Sequence, residues 1–147
     1  MITLEINNQA KVRFNQKHLK AIARRAERVL RIKPGSRVSL ALVANQEMKK
    51  LNRLYRGLNQ TTDVLSFGQS RQKLPVSQAD RGYLGEIVIS YPVAKKQAQE
   101  NQISLMAELA RLLAHGLLHL TGHHHSTAKM AKANQRLAEQ ICLFDKS

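Results

Sequence analysis

The spacing of apolar and polar residues along the chain predicts both strands and amphipathic helices. Two-residue alternation and short apolar runs predict strands, whereas apolar residues three or four positions apart predict helices. The predicted strands cover residues 2–6, 37–44, 63–67 and 84–90, and the predicted helices cover 16–31, 45–55, 91–99, 103–120 and 127–143. This order predicts an α+β fold with a mixed sheet of about four strands, covered on one side by helices. A length of 147 residues predicts a single domain, 1–147.

The helix predicted at 103–120 is apolar around much of its circumference, which predicts a central, buried position. Its large apolar residues are Leu105, Met106, Leu109, Leu112, Leu113, Leu117 and Leu118. The segment 68–82 is polar, contains Pro75 and lacks periodicity. It therefore predicts a loop, which is either a lid over a site or disordered.

Five of the six histidines fall in the string HGLLHLTGHHH, residues 115–125. On a helix, His115 and His119 leave the same face about 6 Å apart along the axis, so that their imidazoles can share one ion. Gly122 can adopt the left-handed conformation that ends a helix and turns the chain back. His125 is then the third ligand of the predicted metal site.

Three imidazoles suit zinc and leave a fourth position open, as in catalytic zinc sites, so the predicted cofactor is one zinc ion. The alternatives are a solvated cluster at a helix end and adventitious metal binding by the adjacent residues 123–125. Neither explains why His115 and His119 lie among leucines.

The chain is strongly basic, with 24 Lys and Arg against ten Asp and Glu, a formal net charge of +14 and a pI near 10.5. Such a charge favours polyanionic partners. The first predicted helix has a cationic outer face, opposite an apolar stripe. We predict that this face binds nucleic acid through Lys17, Lys20, Arg24, Arg28 and Arg31. The alternative is an ordinary solvated surface; a membrane-surface helix would carry aromatic anchors that are missing here.

The single cysteine, Cys142, excludes an internal disulfide framework and fits a reducing compartment. It is expected to pack as a small apolar residue in the last helix. No segment reaches the roughly 20 apolar residues that span a bilayer, and the amino terminus lacks the pattern of a signal peptide. We therefore expect a cytoplasmic protein without membrane partners.

The spacing H-x3-H-x2-G-x2-H also occurs in metzincin proteases, which makes a metalloprotease one alternative. In those enzymes the residue after the first histidine is the glutamate that acts as general base. Here that position is Gly116, which has no side chain to accept a proton. Phosphodiester hydrolysis suits the basic chain better, because metal, arginine and bound water can carry it.

Three segments resemble the hallmark stretches of the YbeY family of bacterial metal-dependent endoribonucleases: LNRLYRGLNQTTDVLSF, LGEIVIS and HGLLHLTGHHH, at 51–67, 84–90 and 115–125. The resemblance implies a zincin-like fold and a zinc ion on His115, His119 and His125. It also implies an arginine in the active cleft, here Arg56, whose fork of donors would stabilise negative charge on a phosphate.

The same resemblance implies single-strand-directed cleavage of RNA in small-subunit ribosomal RNA maturation and in ribosome quality control. Ribosomal RNA is therefore the expected substrate, and ribosomal proteins or assembly GTPases are the expected protein partners. A second hypothesis is a ribosome-assembly RNA-binding factor in which zinc is mainly structural.

The chain departs from the family pattern at a few positions. The usual G-Y-D-H reads Gly122, His123, His124, His125 here, Asn59 replaces an aspartate, and Glu86 replaces the aspartate of LGD. We assign His124 a catalytic role, because a neutral imidazole can accept a proton in place of a carboxylate. It supplies no negative charge beside the metal, so the pH dependence of activity is expected to shift.

Other acidic residues near these segments are not predicted to bind the metal. Asp63 either caps the start of a strand, pairs with Arg56 or orients water. Glu108 is seven residues before His115, about 10 Å along a helix, and is predicted to pair with Arg111.

Overall fold

The computed structural model describes residues 1–68, 82–123 and 127–142, and every element predicted from the pattern is found there. The strands are β1 (Thr3–Asn8), β2 (Arg37–Val43), β3 (Val64–Gly68) and β4 (Tyr83–Ser90). The helices are α1 (Gln16–Val29), α2 (Asn45–Arg56), α3 (Tyr91–Glu100), α4 (Leu105–Leu120) and α5 (Ala128–Ile141). The predicted loop falls almost wholly on 69–81, outside the described residues.

The strands form one mixed sheet in the order β1-β2-β4-β3. β1, β2 and β4 are parallel, whereas β3 is antiparallel to β4 and lies at one edge. The α+β class and the mixed four-stranded sheet predicted from the sequence are thus confirmed.

Alternate residues of the central strands face two different apolar clusters. Leu40, Leu42, Ile87 and Ile89 face α1, α4 and α5, which cover one side of the sheet. Ala41, Val43 and Val88 face the other side, where Met48 of α2 is fully buried against them. The expectation that helices cover only one side is therefore wrong. Both faces of β2 are apolar, so other elements must pack against both, as is typical of buried parallel strands.

Helix α4 is the centre of the larger cluster, as its composition predicted. Leu109, Leu112, Leu113, Leu117 and Leu118 are all buried. The N-cap Ser104 accepts a hydrogen bond from the backbone N–H of Ala107, which starts the helix. Because the middle of α4 is held in the core, the side chains at its carboxyl end start from a rigid support.

Two further expectations concern the carboxyl-terminal part of the chain and membranes. Cys142 packs against the larger apolar cluster, as expected for a small apolar residue. Across the described ranges, no single helix has the length and apolar character to cross a membrane; α3 and α4 meet that test only as a pair bent by 115°.

Candidate active site

A cleft of about 760 Å³ opens beside the edge strand β3, between the carboxyl end of α4 and the end of α2. Its walls come from four elements, α2, β3, β4 and α4, and from the turn after α4. They are lined by Arg56, Val64, Leu65, Ser66, Phe67, Gly68, Tyr83, Leu84, His115, Gly116, His119, Leu120 and Gly122. The structure therefore brings three of the predicted site residues, Arg56, His115 and His119, to one cavity.

Glycine at position 116 lets α4 approach β4 closely beneath the two histidines. A Cβ atom at Gly116 would lie 2.8 Å from Cδ1 and from Cγ2 of Ile87, which is closer than real Cβ contacts allow. The helix position that carries the glutamate in the proteases is thus in direct contact with Ile87 of β4. No side chain larger than hydrogen fits there unless Ile87 moves.

The carboxyl end of α4 is a complete Schellman motif. The N–H of His123 donates to the carbonyl of Leu118 at 2.8 Å, and the N–H of Gly122 donates to the carbonyl of His119 at 3.2 Å. Gly122 has φ +88°, the left-handed conformation predicted for it. The chain therefore reverses immediately after the second histidine.

The reversed segment is attached to the last helix. The side-chain amide of Asn134, a buried residue of α5, donates to the backbone carbonyl of His123 at 3.3 Å. The ring Nδ1 of His123 lies 3.1 Å from the hydroxyl of Thr121. These contacts fix the start of the segment that leads to the remaining histidines. Sequence reasoning missed Asn134, although an asparagine in a helix interior is a signal worth following.

Two of the three predicted zinc ligands are described, and both are imidazoles that line the cleft. His115 and His119 line the same cavity from successive turns of α4. Among residues 1–68, 82–123 and 127–142, no three His, Cys, Asp or Glu side chains group closely enough to hold an ion. The predicted third ligand, His125, and the predicted catalytic His124 both lie outside those ranges. Two imidazoles followed by a tight reversal of the chain are compatible with a third ligand just after the turn.

Arg56 occupies the last turn of α2, across the cleft from the histidines. The helix ends at Gly57, whose φ is +70°, and the buried side chain of Asn52 donates to the carbonyl of Gln60 at 2.8 Å. Asn52 therefore ties down the turn that follows Arg56. Sequence reasoning missed this asparagine too.

Asp63 caps the start of β3, which is one of the three roles considered for it. Its Oδ1 accepts from the N–H of Val64 at 2.8 Å, and its Oδ2 accepts from Gln97 at 3.4 Å. Within the part of the chain that is described, no carboxylate pairs with the exposed Arg56. The guanidinium therefore faces the cleft without a described acidic partner.

Two glutamates near the cleft are not placed beside the histidines. Glu86 pairs in register with Phe67 and Ser39, on the sheet face opposite Ile87 and α4. Partial burial raises the pKa of the Glu86 carboxyl above its usual value. Glu108 is fully buried and forms the predicted ion pair with Arg111.

The basic residues predicted to bind RNA lie on α1 and the turn after it, away from the cleft. None of them lines the cavity, and all are exposed: Lys17, Lys20, Arg24, Arg28 and Arg31. The apolar stripe of α1 is buried as predicted, at Leu19, Ile22, Ala23 and Ala26. RNA binding by the outer face of α1 stays a prediction.

The comparison with protein families identifies the chain. Residues 3–143 match the family model "Endoribonuclease YbeY". This chain belongs to the YbeY family. The resemblance found in three sequence segments is thereby confirmed, and so, at the level of the family's name, is the expectation of an RNA-cleaving hydrolase.

Individual relatives agree with this assignment. An endoribonuclease YbeY of Syntrophomonas wolfei is 33% identical over 96% of this chain and 95% of the relative. One from Geobacillus thermodenitrificans is 38% identical over 84% of this chain and 81% of the relative. One from Myxococcus xanthus is 44% identical over 73% of this chain but only 36% of the relative.

The fold also matches a solved structure. The solution structure of TM1509 from Thermotoga maritima superposes with a TM-score of 0.59 at 26% identity, covering 96% of this chain and 89% of that one. The arrangement of sheet and helices is thus shared with an experimentally determined protein.

Proposed function

We propose that this YbeY-family protein is a zinc-dependent endoribonuclease that cleaves single-stranded regions of ribosomal RNA. The single observation that carries the proposal is the meeting of His115, His119 and Arg56 at one cleft, from helices that face different sides of the sheet. The names of the relatives, all endoribonucleases YbeY, support the reaction class.

We assign the metal to His115, His119 and His125. The first two histidines lie one turn apart, and the Schellman motif turns the chain back directly after them. A bound zinc ion would supply a Lewis acid for a phosphate oxygen and increase the acidity of a water molecule. Gly122 and Asn134 act on this site indirectly, because they hold the segment that leads to the third ligand.

Arg56 would bind the scissile phosphate from the opposite wall. Its planar guanidinium presents several N–H donors, which match phosphate oxygens in pairs. No described carboxylate pairs with it, and in this proposal its charge stabilises the negative charge that develops during attack. Its backbone is placed in the last turn of α2, next to the turn that Asn52 ties down.

The proton acceptor is proposed to be His124 rather than any residue of α4. Gly116 occupies the place of the protease base and is packed against Ile87. A neutral imidazole next to the third ligand can take a proton from water. The same packing at Gly116 argues against the metalloprotease alternative.

RNA as substrate agrees with the net charge of +14. The proposed roles in maturation of small-subunit ribosomal RNA and in ribosome quality control follow from family membership, as do a cytoplasmic location and contacts with ribosomal proteins or assembly GTPases. The outer face of α1 is proposed to bind parts of a long RNA that lie beyond the cleft.

Metal content and cleavage, measured on the same untagged preparations, test the proposal. We expect one equivalent of zinc by elemental analysis and cleavage of structured ribosomal RNA. His119→Ala should lose both. His18→Ala removes the one histidine outside residues 115–125 and should keep both, which makes it the matched control.

Two outcomes would overturn the proposal. Equal cleavage by wild type and His119→Ala would point to a contaminating nuclease. Binding of RNA with stoichiometric zinc but no cleavage would favour the assembly factor with a structural zinc.

A further inference from the structure

Large apolar side chains are exposed together at the end of α2. Leu54 is 63% exposed, Tyr55 is 55% exposed, and Leu58, just beyond the helix, is 40% exposed. More than half of the surface of Tyr55 is therefore accessible to a partner. Tyr55 also directly precedes Arg56, which lines the cleft.

A second aromatic ring supports Tyr55 from the side of the sheet. The ring centroids of Tyr55 and Phe67 lie 4.7 Å apart with an interplanar angle of 51°. Phe67 belongs to β3, is packed against the smaller apolar cluster and lines the cleft. Tyr55 is therefore braced at the edge of the cavity, next to Phe67. It remains 55% exposed even with this contact.

A different face of α2, about 100° around the helix from Tyr55 where it reaches Arg56, is basic. Lys49, Arg53 and Arg56 are four and three residues apart, so they share one face of the helix over about 10 Å. Lys49 and Arg53 are exposed and line a shallow hollow with Lys50. This face suits a polyanionic strand, whereas an exposed ring suits a flat, stacked partner.

We propose that Tyr55, braced by Phe67, is a stacking platform for one unpaired nucleobase of single-stranded RNA, while the basic face of α2 binds the adjoining phosphates. Basic grooves combined with exposed aromatic rings are the usual means of binding single strands. A base in a duplex is stacked on both sides and cannot reach the ring. The platform rests on the proposed function, because it places the stacked base next to Arg56 and the two histidines.

A tryptophan reporter tests stacking directly. The chain contains no tryptophan, so Tyr55→Trp introduces a single fluorophore at the platform. A single-stranded RNA of about ten nucleotides, within the site sizes of known single-strand binders, should quench its fluorescence. The same strand annealed to its complement, or made without bases, should not. Phe14→Trp, whose side chain packs against the larger cluster under α1, is the control and should respond to none of them.

Binding affinity provides a second measurement. Tyr55→Leu, which keeps bulk but removes the ring, should weaken binding of the single-stranded RNA about tenfold. Tyr55→Phe should bind like wild type, and so should Leu54→Ala, which truncates the exposed neighbour. Affinity for the duplex should not change in any variant. Thermal unfolding confirms that each variant is folded, and gels run after the titration confirm that the RNA is intact.

Equal quenching by single strand and duplex, or unchanged single-strand affinity in Tyr55→Leu, would overturn the platform. These measurements record binding alone. If wild type binds in this way but neither contains zinc nor cleaves RNA, the platform stands and the nuclease proposal fails. If wild type contains zinc and cleaves RNA but Tyr55→Leu binds the single strand normally, the nuclease proposal stands and the platform fails.

Discussion

The residue beneath the histidines is a glycine for a steric reason. Zinc proteases with this histidine spacing need a glutamate where this chain has Gly116. In a helix interior glycine costs up to about 1 kcal/mol relative to alanine, so its presence needs a reason. The reason is steric, because a Cβ at this position would lie only 2.8 Å from side-chain atoms of Ile87.

We predict that Gly116→Ala destabilises the fold by about 1–3 kcal/mol, because overpacking outweighs the gain in helix propensity. Urea unfolding measures the change. Ile87→Ala removes the three side-chain atoms that a Cβ at position 116 would meet. The loss of unfolding free energy in the double variant should therefore be smaller than the sum of the losses in the two single variants, by about 1 kcal/mol. A stabilised Gly116→Ala would show that α4 and β4 are not in tight contact.

The half-buried Glu86 predicts a pH-dependent effect on stability. Burial raises the pKa of its carboxyl in the folded state, so folding favours the neutral form. The charged carboxylate of Glu86 therefore destabilises the folded protein. This effect is absent at low pH, where the carboxyl is neutral in both states. It develops as the pH rises through the pKa of Glu86 in the unfolded state and then through its higher pKa in the folded state. Glu86→Gln should therefore gain stability relative to wild type as the pH is raised from below 4.5, the ordinary pKa of the carboxyl, to neutrality.

The measurement is the unfolding free energy of both proteins across that range. Glu5→Gln, at an exposed position of β1, removes one negative charge and corrects for the change in net charge. A stability difference between Glu86→Gln and wild type that stays constant with pH would mean that Glu86 is solvated in the folded protein.

At the scale of elements, the ends of two helices build the candidate site. Helix α4 ends at a Schellman motif with Gly122, and α2 ends at the left-handed Gly57. Each terminus places one predicted functional group at the cleft, His119 from α4 and Arg56 from α2. Both turns are held by buried asparagines, Asn134 and Asn52. The geometry of the site thus depends on how these helices stop.

We predict that Gly122→Ala weakens zinc binding beyond its effect on stability. The left-handed φ of +88° should cost alanine about 1 kcal/mol, although its Cβ meets no atom within 4 Å. Gly35 has nearly the same φ, +84°, and the same open surroundings, but does not line the cleft. Gly35→Ala is therefore a control with equal strain.

Both variants should lose similar stability in thermal unfolding, and only Gly122→Ala should lose zinc in a competition with a chelator. Equal zinc affinity in the two would mean that the turn after α4 does not position a metal ligand.

At the scale of the whole molecule, the excess positive charge is spread over more than one surface. The outer face of α1 and the basic face of α2 lie on helices that cover opposite sides of the sheet. Only the α2 face ends at the cleft, at Arg56. A short RNA held in the cleft should therefore contact α2, and only a longer RNA should also reach α1.

We predict different salt dependences for two variants that lose equal charge. With a single-stranded RNA of about ten nucleotides, Lys49→Gln/Arg53→Gln should reduce the slope of log affinity against log salt by about 0.7 for each phosphate that the variant no longer binds. Lys20→Gln/Arg24→Gln should leave that slope unchanged and reduce it only with a long ribosomal RNA fragment. Titrations between about 50 and 200 mM salt measure both slopes. Equal slopes for the short RNA in the two variants would place it across α1 as well.

The elements, their order and the central helix were predictable from the sequence, because the periodicity of apolar residues reports which face of each element is buried. It also predicted the left-handed turn at Gly122 and the Glu108–Arg111 pair, since both depend on residues close together in the chain. The family followed from short segments with fixed spacing.

The contacts between distant residues were not predictable in this way, because they depend on how the elements pack together. No local pattern states that α2 crosses to the other side of the sheet, that Ile87 requires a glycine at position 116, or that Tyr55 rests on Phe67. Those contacts join segments separated by many residues, and they depend on the strand order, the sheet register and the packing of side chains. The cleft that collects Arg56, His115 and His119 arises from that packing, so sequence reasoning could name its residues but could not derive its shape.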